Sequence, residues 1–410
     1  MSTGIATPSV FDAGLPVLQY AIDASPQSVY PQIRAAHETA PIAVGPVGPE
    51  ILSYELARAA LREPRFIVAP GINLMAQGVT SGPVWDKVTN NLLCLDGEEH
   101  QRLRRLVSKA FTPRATARLS DTIAAVINRL IDDVAEAGHC DIVTDIARPY
   151  PIPIICALIG APAEDWEKFS HWTEESFKAF GFTADIAADG PDILRAWGEL
   201  DDYVDDMVSQ RREHLTDDLL SELIRIEDQG DRLSADELRM LVASLLMGGT
   251  DTTRNQLPAC LFAMCEHPDQ WALLAAEPDA AMAAVEESMR HSPAVCGAVR
   301  LATEDVEFGG FLFPAGTFIF INTYAANHDP TVFPNPERLD IRRKSPPPIL
   351  TFGGGAHYCL GASLARRELA DALAILAQRM PNLRRTAPAP WKSILGLSGP
   401  TTLQVAFDAS

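Results

Sequence analysis

Seven cysteines in 410 residues (Cys94, Cys140, Cys156, Cys260, Cys265, Cys296 and Cys359) form an odd, scattered set without a C-x-x-C pair. That excludes a disulfide framework and a zinc ribbon and fits a reducing cytoplasm. Basic residues are also short: 34 Lys and Arg against 54 Asp and Glu leave a net charge of −20. A field of that sign repels phosphate backbones and argues against nucleic acid as a partner. No basic segment precedes an apolar core before Asp12, so neither a secretory signal nor a membrane anchor is expected. The longest uncharged run, residues 67–85, is broken by Pro70, Gly71, Gly78, Gly82 and Pro83 and reads as a loop rather than a membrane span. No repeat with a period of about 20 to 50 residues is present.

What the chain does have is core-forming composition, 47% hydrophobic against 21% charged. Residues 101–380 are mostly helical in pattern, as in Ile123, Val126, Ile127, Leu130, Ile131 and Val134. Residues 41–54 carry β-type punctuation, and 306–322 read as hairpin and strand, with turns at Gly309-Gly310 and Pro314-Ala315-Gly316. No linker divides the chain cleanly. The expectation is a mainly α, α+β fold with small sheets, one domain over residues 1–410, its first 20 residues loosely ordered.

One helix stands out. Ser234-Ala-Asp-Glu237 is a capping box, and the pattern continues to Glu266 before Pro268. At its centre lies Gly248-Gly249-Thr250-Asp251-Thr252-Thr253, where two glycines cost about 2 kcal/mol relative to alanine and three threonines add β-branched crowding. Two readings remain open: a close helix crossing, or a backbone opened beside a ligand with a carboxylate and a hydroxyl presented next to it.

The segment Phe352-Gly353-Gly354-Gly355-Ala356-His357-Tyr358-Cys359-Leu360-Gly361 runs directly into a helical pattern over residues 362–380. A cysteine thiolate that binds iron needs N–H donors aimed at its sulfur, and the start of a helix supplies them. Glycines permit close approach of the chain. By composition the pattern F-G-x-G-x-H-x-C-x-G would arise by chance with a probability on the order of one in a million, so it is read as a ligand loop. Cys94, Cys140, Cys156, Cys260 and Cys265 read as small buried hydrophobes.

This loop resembles the haem-ligand loop of the cytochromes P450. The resemblance extends to the helix centre at residues 248–253, to Glu287-Ser-Met-Arg290 as the family's E-x-x-R motif, to Arg300, to Ala326-Asn327-His328-Asp329-Pro330, to Phe333-Pro-Asn-Pro336 and to Asp96-Gly-Glu-Glu-His100-Gln-Arg-Leu-Arg104. It spans residues 92–361, in the family's order and spacing. The sequence departs from the family's usual pattern at His328, where many bacterial members carry Arg, and at Gly248, where Ala is common.

The resemblance implies a haem b (iron protoporphyrin IX) between the long central helix and the ligand loop, with Cys359 as axial ligand to the iron. It implies that His100, Arg104, Arg300 and His357 take the haem propionates, and that Gly248, Phe352, Gly353 and Gly361 line the haem, Phe352 shielding the thiolate. Glu287 and Arg290, by themselves an ordinary ion pair on a helix surface, become a structural network. Asp251 and Thr252 become the catalytic pair, since reductive cleavage of O2 needs protons delivered at the distal oxygen. The implied activity is a monooxygenase using O2 as co-substrate, which hydroxylates or epoxidises an apolar small molecule. Peroxygenase, non-redox and haem-sensor alternatives on the same fold are disfavoured by the acid–alcohol pair.

With no flavin or iron–sulfur segment, both electrons must come from another protein, so NAD(P)H acts only indirectly. Arg102, Arg104, Arg105, Lys109, Arg114 and Arg118, with Arg366 and Arg367, are read as a basic proximal face for an iron–sulfur ferredoxin or a flavodoxin. The substrate pocket implied by the resemblance draws on Trp172, Phe180, Phe182, Ala243, Ser244, Met247, Val295, Cys296, Ala298 and Leu395, and the glycines of residues 67–85 suggest a mobile lid. The chain is expected to be a cytoplasmic monomer.

Overall fold

Ser234 begins the longest helix as the capping box requires. In the computed structural model, which describes residues 7–71, 73–228, 233–344 and 346–408, Ser234 Oγ accepts from the Glu237 N–H at 3.2 Å. The Glu237 carboxylate accepts from the Ser234 N–H at 2.8 Å. The helix Ala235–Glu266 then runs through the middle of the molecule, buried on nearly every side from Leu238 to Met264. Such a helix is apolar all round because other helices cover it all round. They are Pro151–Ile159, Trp166–Phe177, Ile186–Glu213, Ala281–His291 and Ala362–Arg379.

The two glycines at its centre divide the two readings between them. A Cβ at Gly249 would lie 2.8 Å from Ile155 Cδ1, so Gly249 serves a close crossing with the helix Pro151–Ile159. A Cβ at Gly248 would meet nothing within 4 Å. The opened backbone does not occur, because the helix stays α-helical throughout. Instead the Thr250 and Thr252 hydroxyls donate to the carbonyls of Leu246 at 2.6 Å and Gly248 at 3.1 Å, one turn back.

The main sheet has five strands in the spatial order Ile42–Gly45, Gly48–Ile51, Phe318–Asn322, Gly297–Ala302, Phe66–Ile67. All neighbours are antiparallel except Gly48–Ile51 and Phe318–Asn322, which are parallel. The hairpin Val306–Phe308 to Phe311–Phe313 turns on Gly309 and Gly310, both with positive φ, +60° and +87°. That pair of conformations suits a tight two-residue turn and is hard for other residues.

The N-terminal segment corrects an expectation. Residues 1–6 lie outside the described residues, but Val10 N–H donates to Leu312 O at 2.9 Å, Leu18 N–H donates to Val44 O at 2.8 Å, and both side chains are buried. The segment is tied down by the sheet rather than loose. The run 67–85 contains the helices Asn73–Ala76 and Pro83–Thr89. One window, Ile142–Ile159, is apolar enough to cross a membrane, yet 67% of it is buried inside the fold as core.

Glu287 and Arg290 are not a surface pair. Arg290 is fully buried, bonds Glu287 at 2.8 and 2.9 Å, and donates to the carbonyls of Asn327, Pro336 and Arg338. Arg343, which the sequence did not single out, adds a second guanidinium to Glu287 at 3.0 Å. The network clamps the irregular segment 327–343 onto the helix Ala281–His291, leading the chain to the cysteine loop.

Candidate functional site

The cysteine loop is shaped by its own backbone. The Cys359 N–H donates to Phe352 O at 2.9 Å and closes the loop, and a short turn over Gly355–His357 fills it. Gly355 has φ +65°, and a Cβ there would sit 2.5 Å from Leu61 O, so only glycine fits. Gly361 differs from expectation: no part of the chain approaches it closely, and a Cβ would meet nothing within 4 Å. Cys359 is free and half-buried. Burial raises its thiol pKa, opposed by the Gly361 N–H and the guanidinium groups of Arg104 and Arg366. A coordinated metal would favour the thiolate outright.

Four cationic or N–H donor side chains gather beside this loop. His100 and His357 stack with centroids 4.2 Å apart. His357 Nε2 lies 3.3 Å from Asp96 Oδ1. Arg104 donates to Tyr358 O. Arg300, on the strand Gly297–Ala302, is buried, donates to Val299 O at 2.9 Å, and makes no ion pair among the described residues. His100 Nδ1 is buried without a partner, and burial, with His357 and Arg104 adding to it, depresses its pKa to about 4. Burying a guanidinium without an anion is costly. Against Arg104 and Arg300 the cluster holds one carboxylate, Asp96, so it keeps a net positive charge and an unpartnered N–H site, which a group carrying carboxylates would answer. The residues fit a haem on this count, and on the open space at Gly248 and Gly361.

Asp251 is buried on the central helix, with Oδ2 unpartnered. Burial pushes its pKa up to about 6, although Arg254 opposes this. Arg254 does not face away from the site, as helix spacing allowed; it is buried and bonds Asp251 Oδ1 at 3.1 Å and Glu174 Oε1 at 2.7 Å. Glu174, 34% exposed, is held in turn by Arg148, 50% exposed, at 3.0 Å. Charged and hydrogen-bonded groups thus run without interruption from solvent to the acid. On another side Lys392 Nζ bonds Asn255 Oδ1 at 2.8 Å, and Asn255 Nδ2 donates to Asp251 O at 2.7 Å. Arg254 was available as the i+3 neighbour of Asp251; Glu174 and Lys392 left no local signal.

The pocket residues separate into groups. Phe180 and Met247 pack in one cluster with Leu74, Val84 and Trp197. Phe182 packs near Leu395, and a Cβ at the neighbouring Gly396 would lie 3.9 Å from Gly181 Cα. Val295 forms a bridge to Leu397 in the C-terminal turn. Ala243, together with Leu103, Trp197 and Met240, lines a groove of about 480 Å³; Ser244 sits one residue on, its hydroxyl 3.4 Å from Met240 Sδ. Three more of these residues also pack into core clusters. Trp172 is a core aromatic, packed on Phe169 and Tyr203 with its N–H on Glu199 at 2.8 Å. Cys296 is fully buried against Tyr30, its sulfur 3.9 Å from the Tyr30 hydroxyl. Ala298 packs on a second core cluster below the sheet.

Arg105, Lys109, Arg114 and Arg118 are exposed and make no ion pair among the described residues, and the segment 108–116 packs on the helix Ala362–Arg379. Arg102 turns elsewhere, to Glu237, while Arg366 and Arg367 pair with Glu286 and Asp371.

The profile of the family described as cytochrome P450 matches residues 85–380. Luteothin monooxygenase of Streptomyces thioluteus is 34% identical over 385 residues, covering 93% of each chain. Mycinamicin IV hydroxylase/epoxidase of Micromonospora griseorubida is 36% identical, covering 87% of this chain and 89% of the relative. Among solved structures, P450BioI in complex with an acyl carrier protein carrying hexadec-9Z-enoic acid superposes with a TM-score of 0.84 at 30% identity, covering 93% of this chain and 98% of the other.

Proposed function

The chain belongs to the cytochrome P450 family, a haem-dependent monooxygenase that uses O2, and on that premise we propose that it hydroxylates or epoxidises an apolar small organic molecule. We further propose that it draws electrons from NAD(P)H through a separate iron–sulfur ferredoxin or flavodoxin, as a single-domain monomer in the cytoplasm. The observation that carries the reading is the pairing of Cys359, in its closed loop, with Asp251 and Thr252 on the central helix. Oxygen insertion is also what two relatives are named for, a monooxygenase and a hydroxylase/epoxidase.

A bound haem would supply the redox chemistry of O2. The remaining work would belong to the chain. Cys359 would hold the iron through its thiolate, Phe352 would pack beside the sulfur, and Gly353 and Gly361 would leave room beside it. Arg104, Arg300, His100 and His357 would take the two carboxylates, which answer the net positive charge described above. The Thr252 hydroxyl, now donating to Gly248 O, could rotate to donate or accept a hydrogen bond on the side of the helix that would face the haem. Asp251, with a pKa near neutrality, can give up and regain a proton, and Arg254 and Glu174 connect it to solvent. Glu287 and Arg290 keep the segment before the loop in place. The residues at 67–85 with Phe180 and Phe182 form the roof over the substrate, and Ala243, Ser244, Met247, Val295 and Leu395 its sides.

Turnover of a bound apolar compound in isotopically labelled O2 tests the reaction class. One labelled oxygen atom per product molecule is expected. Label arriving only from water or from added peroxide would put the chain in a different branch of its fold.

A further inference from the structure

Phe352, whose carbonyl closes the loop on the Cys359 N–H, carries a cation on its ring. The Arg366 guanidinium carbon lies 4.2 Å from the ring centroid, well inside cation–π range. The same guanidinium has Nη1 3.1 Å from the Tyr358 hydroxyl and forms an ion pair with Glu286 on the helix Ala281–His291. Arg366 therefore touches both the ring of the residue that closes the loop on Cys359 and the residue that immediately precedes Cys359, and its charge is felt at the thiol. Its side chain is only 25% exposed, so its charge is incompletely screened.

We propose that Arg366 is a tuning residue for the haem iron: its charge, acting across the Phe352 ring, draws electron density toward the Cys359 sulfur and raises the reduction potential, and Glu286 holds that effect in check. The inference rests on the haem-thiolate reading of Cys359. A cation near an anionic ligand lowers the density that the ligand donates, which favours the reduced metal. The counter-charge on Glu286 acts with the opposite sign. Removing the charge of Arg366 leaves Glu286 uncompensated, and removing the charge of Glu286 leaves Arg366 uncompensated. The electrostatic account thus gives the two variants shifts in opposite directions, whereas a packing role for the pair gives both the same direction.

The test is a mediated redox titration of the haem-loaded protein, of Arg366→Gln and of Glu286→Gln, each first checked for a thiolate-type carbon monoxide complex. Arg366→Gln is expected to shift the reduction equilibrium about tenfold toward the oxidised form, about 59 mV for one electron. Glu286→Gln shifts it the other way. Shifts of the same sign, or none, overturn the proposal. Should Arg366→Gln fail to hold haem, the upward shift of Glu286→Gln decides alone. A parent protein without the thiolate-type complex defeats the underlying reading, and is recognised before any potential is compared.

Discussion

In the proposed function, Thr252 and Asp251 divide one task between a hydroxyl and a carboxyl one residue apart on a helix. Thr252→Ala keeps the fold, since its hydroxyl bonds only the helix backbone, but removes the donor. Product per electron consumed is expected to fall by about tenfold or more, with peroxide released; electron use and peroxide measured together check this, and unchanged coupling removes Thr252 from the relay. Asp251 is raised from 3.8 to about 6 by burial, so its protonated, donating form is depleted as pH rises above 6. Proton-limited turnover should decline there in the parent protein, and the pH–rate profile of Asp251→Asn should lose that limb. Cys359, Asp251 and Thr252 stand out in the sequence because each sits in a local pattern. Glu174 and Lys392 do not, because they reach Asp251 across 80 and 137 residues of sequence in contacts to Arg254 and Asn255. For Trp172 and Cys296 the sequence offers no discrimination, because an apolar side chain reads the same whether it lines a pocket or fills a core.

Among the elements, the central helix shows what local sequence can and cannot specify. Its capping box set the start, and its glycines marked a special centre, but only packing assigns them different duties. Gly249→Ala drives a methyl into Ile155, itself fully buried, and should cost about 1–3 kcal/mol. Gly248→Ala meets no protein atom and should stabilise the haem-free chain by about 1 kcal/mol through helix propensity. Chemical denaturation of the haem-free variants checks the contrast; equal effects would mean that the crossing at Gly249 is not tight. The β-hairpin over 306–313 was legible from Gly309-Gly310, whose turn geometry is intrinsic. The order of Val10 and Leu18 was not legible, because it comes from backbone bonds to Leu312 and Val44, one hundreds of residues away and the other beyond the helix Pro26–His37. The buried depth of Glu287 and Arg290 was likewise invisible, since an i, i+3 pair has the same spacing on a surface as in a core.

Across the whole molecule, a net charge of −20 coexists with a face where Arg105, Lys109, Arg114 and Arg118 stand exposed without ion pairs among the described residues. Composition showed the total, but only the fold shows that Arg102 is used against Glu237 while Arg105, Lys109, Arg114 and Arg118 form no ion pair among the described residues. Reduction of the protein by an acidic ferredoxin should slow as salt is raised, because exposed charges are screened over a Debye length of about 10 Å at 0.1 M. Stopped-flow rates that do not change with salt would place the electron entry elsewhere. Everything above depends on Cys359 binding iron as a thiolate, in a chain whose distant segments converge on one loop. The most direct measurement is the absorption spectrum of the reduced, carbon monoxide-bound protein and of Cys359→Ser. The parent should show the red-shifted Soret band of a thiolate-ligated haem and the variant should lose it; a histidine-type band in freshly folded parent protein would contradict the account.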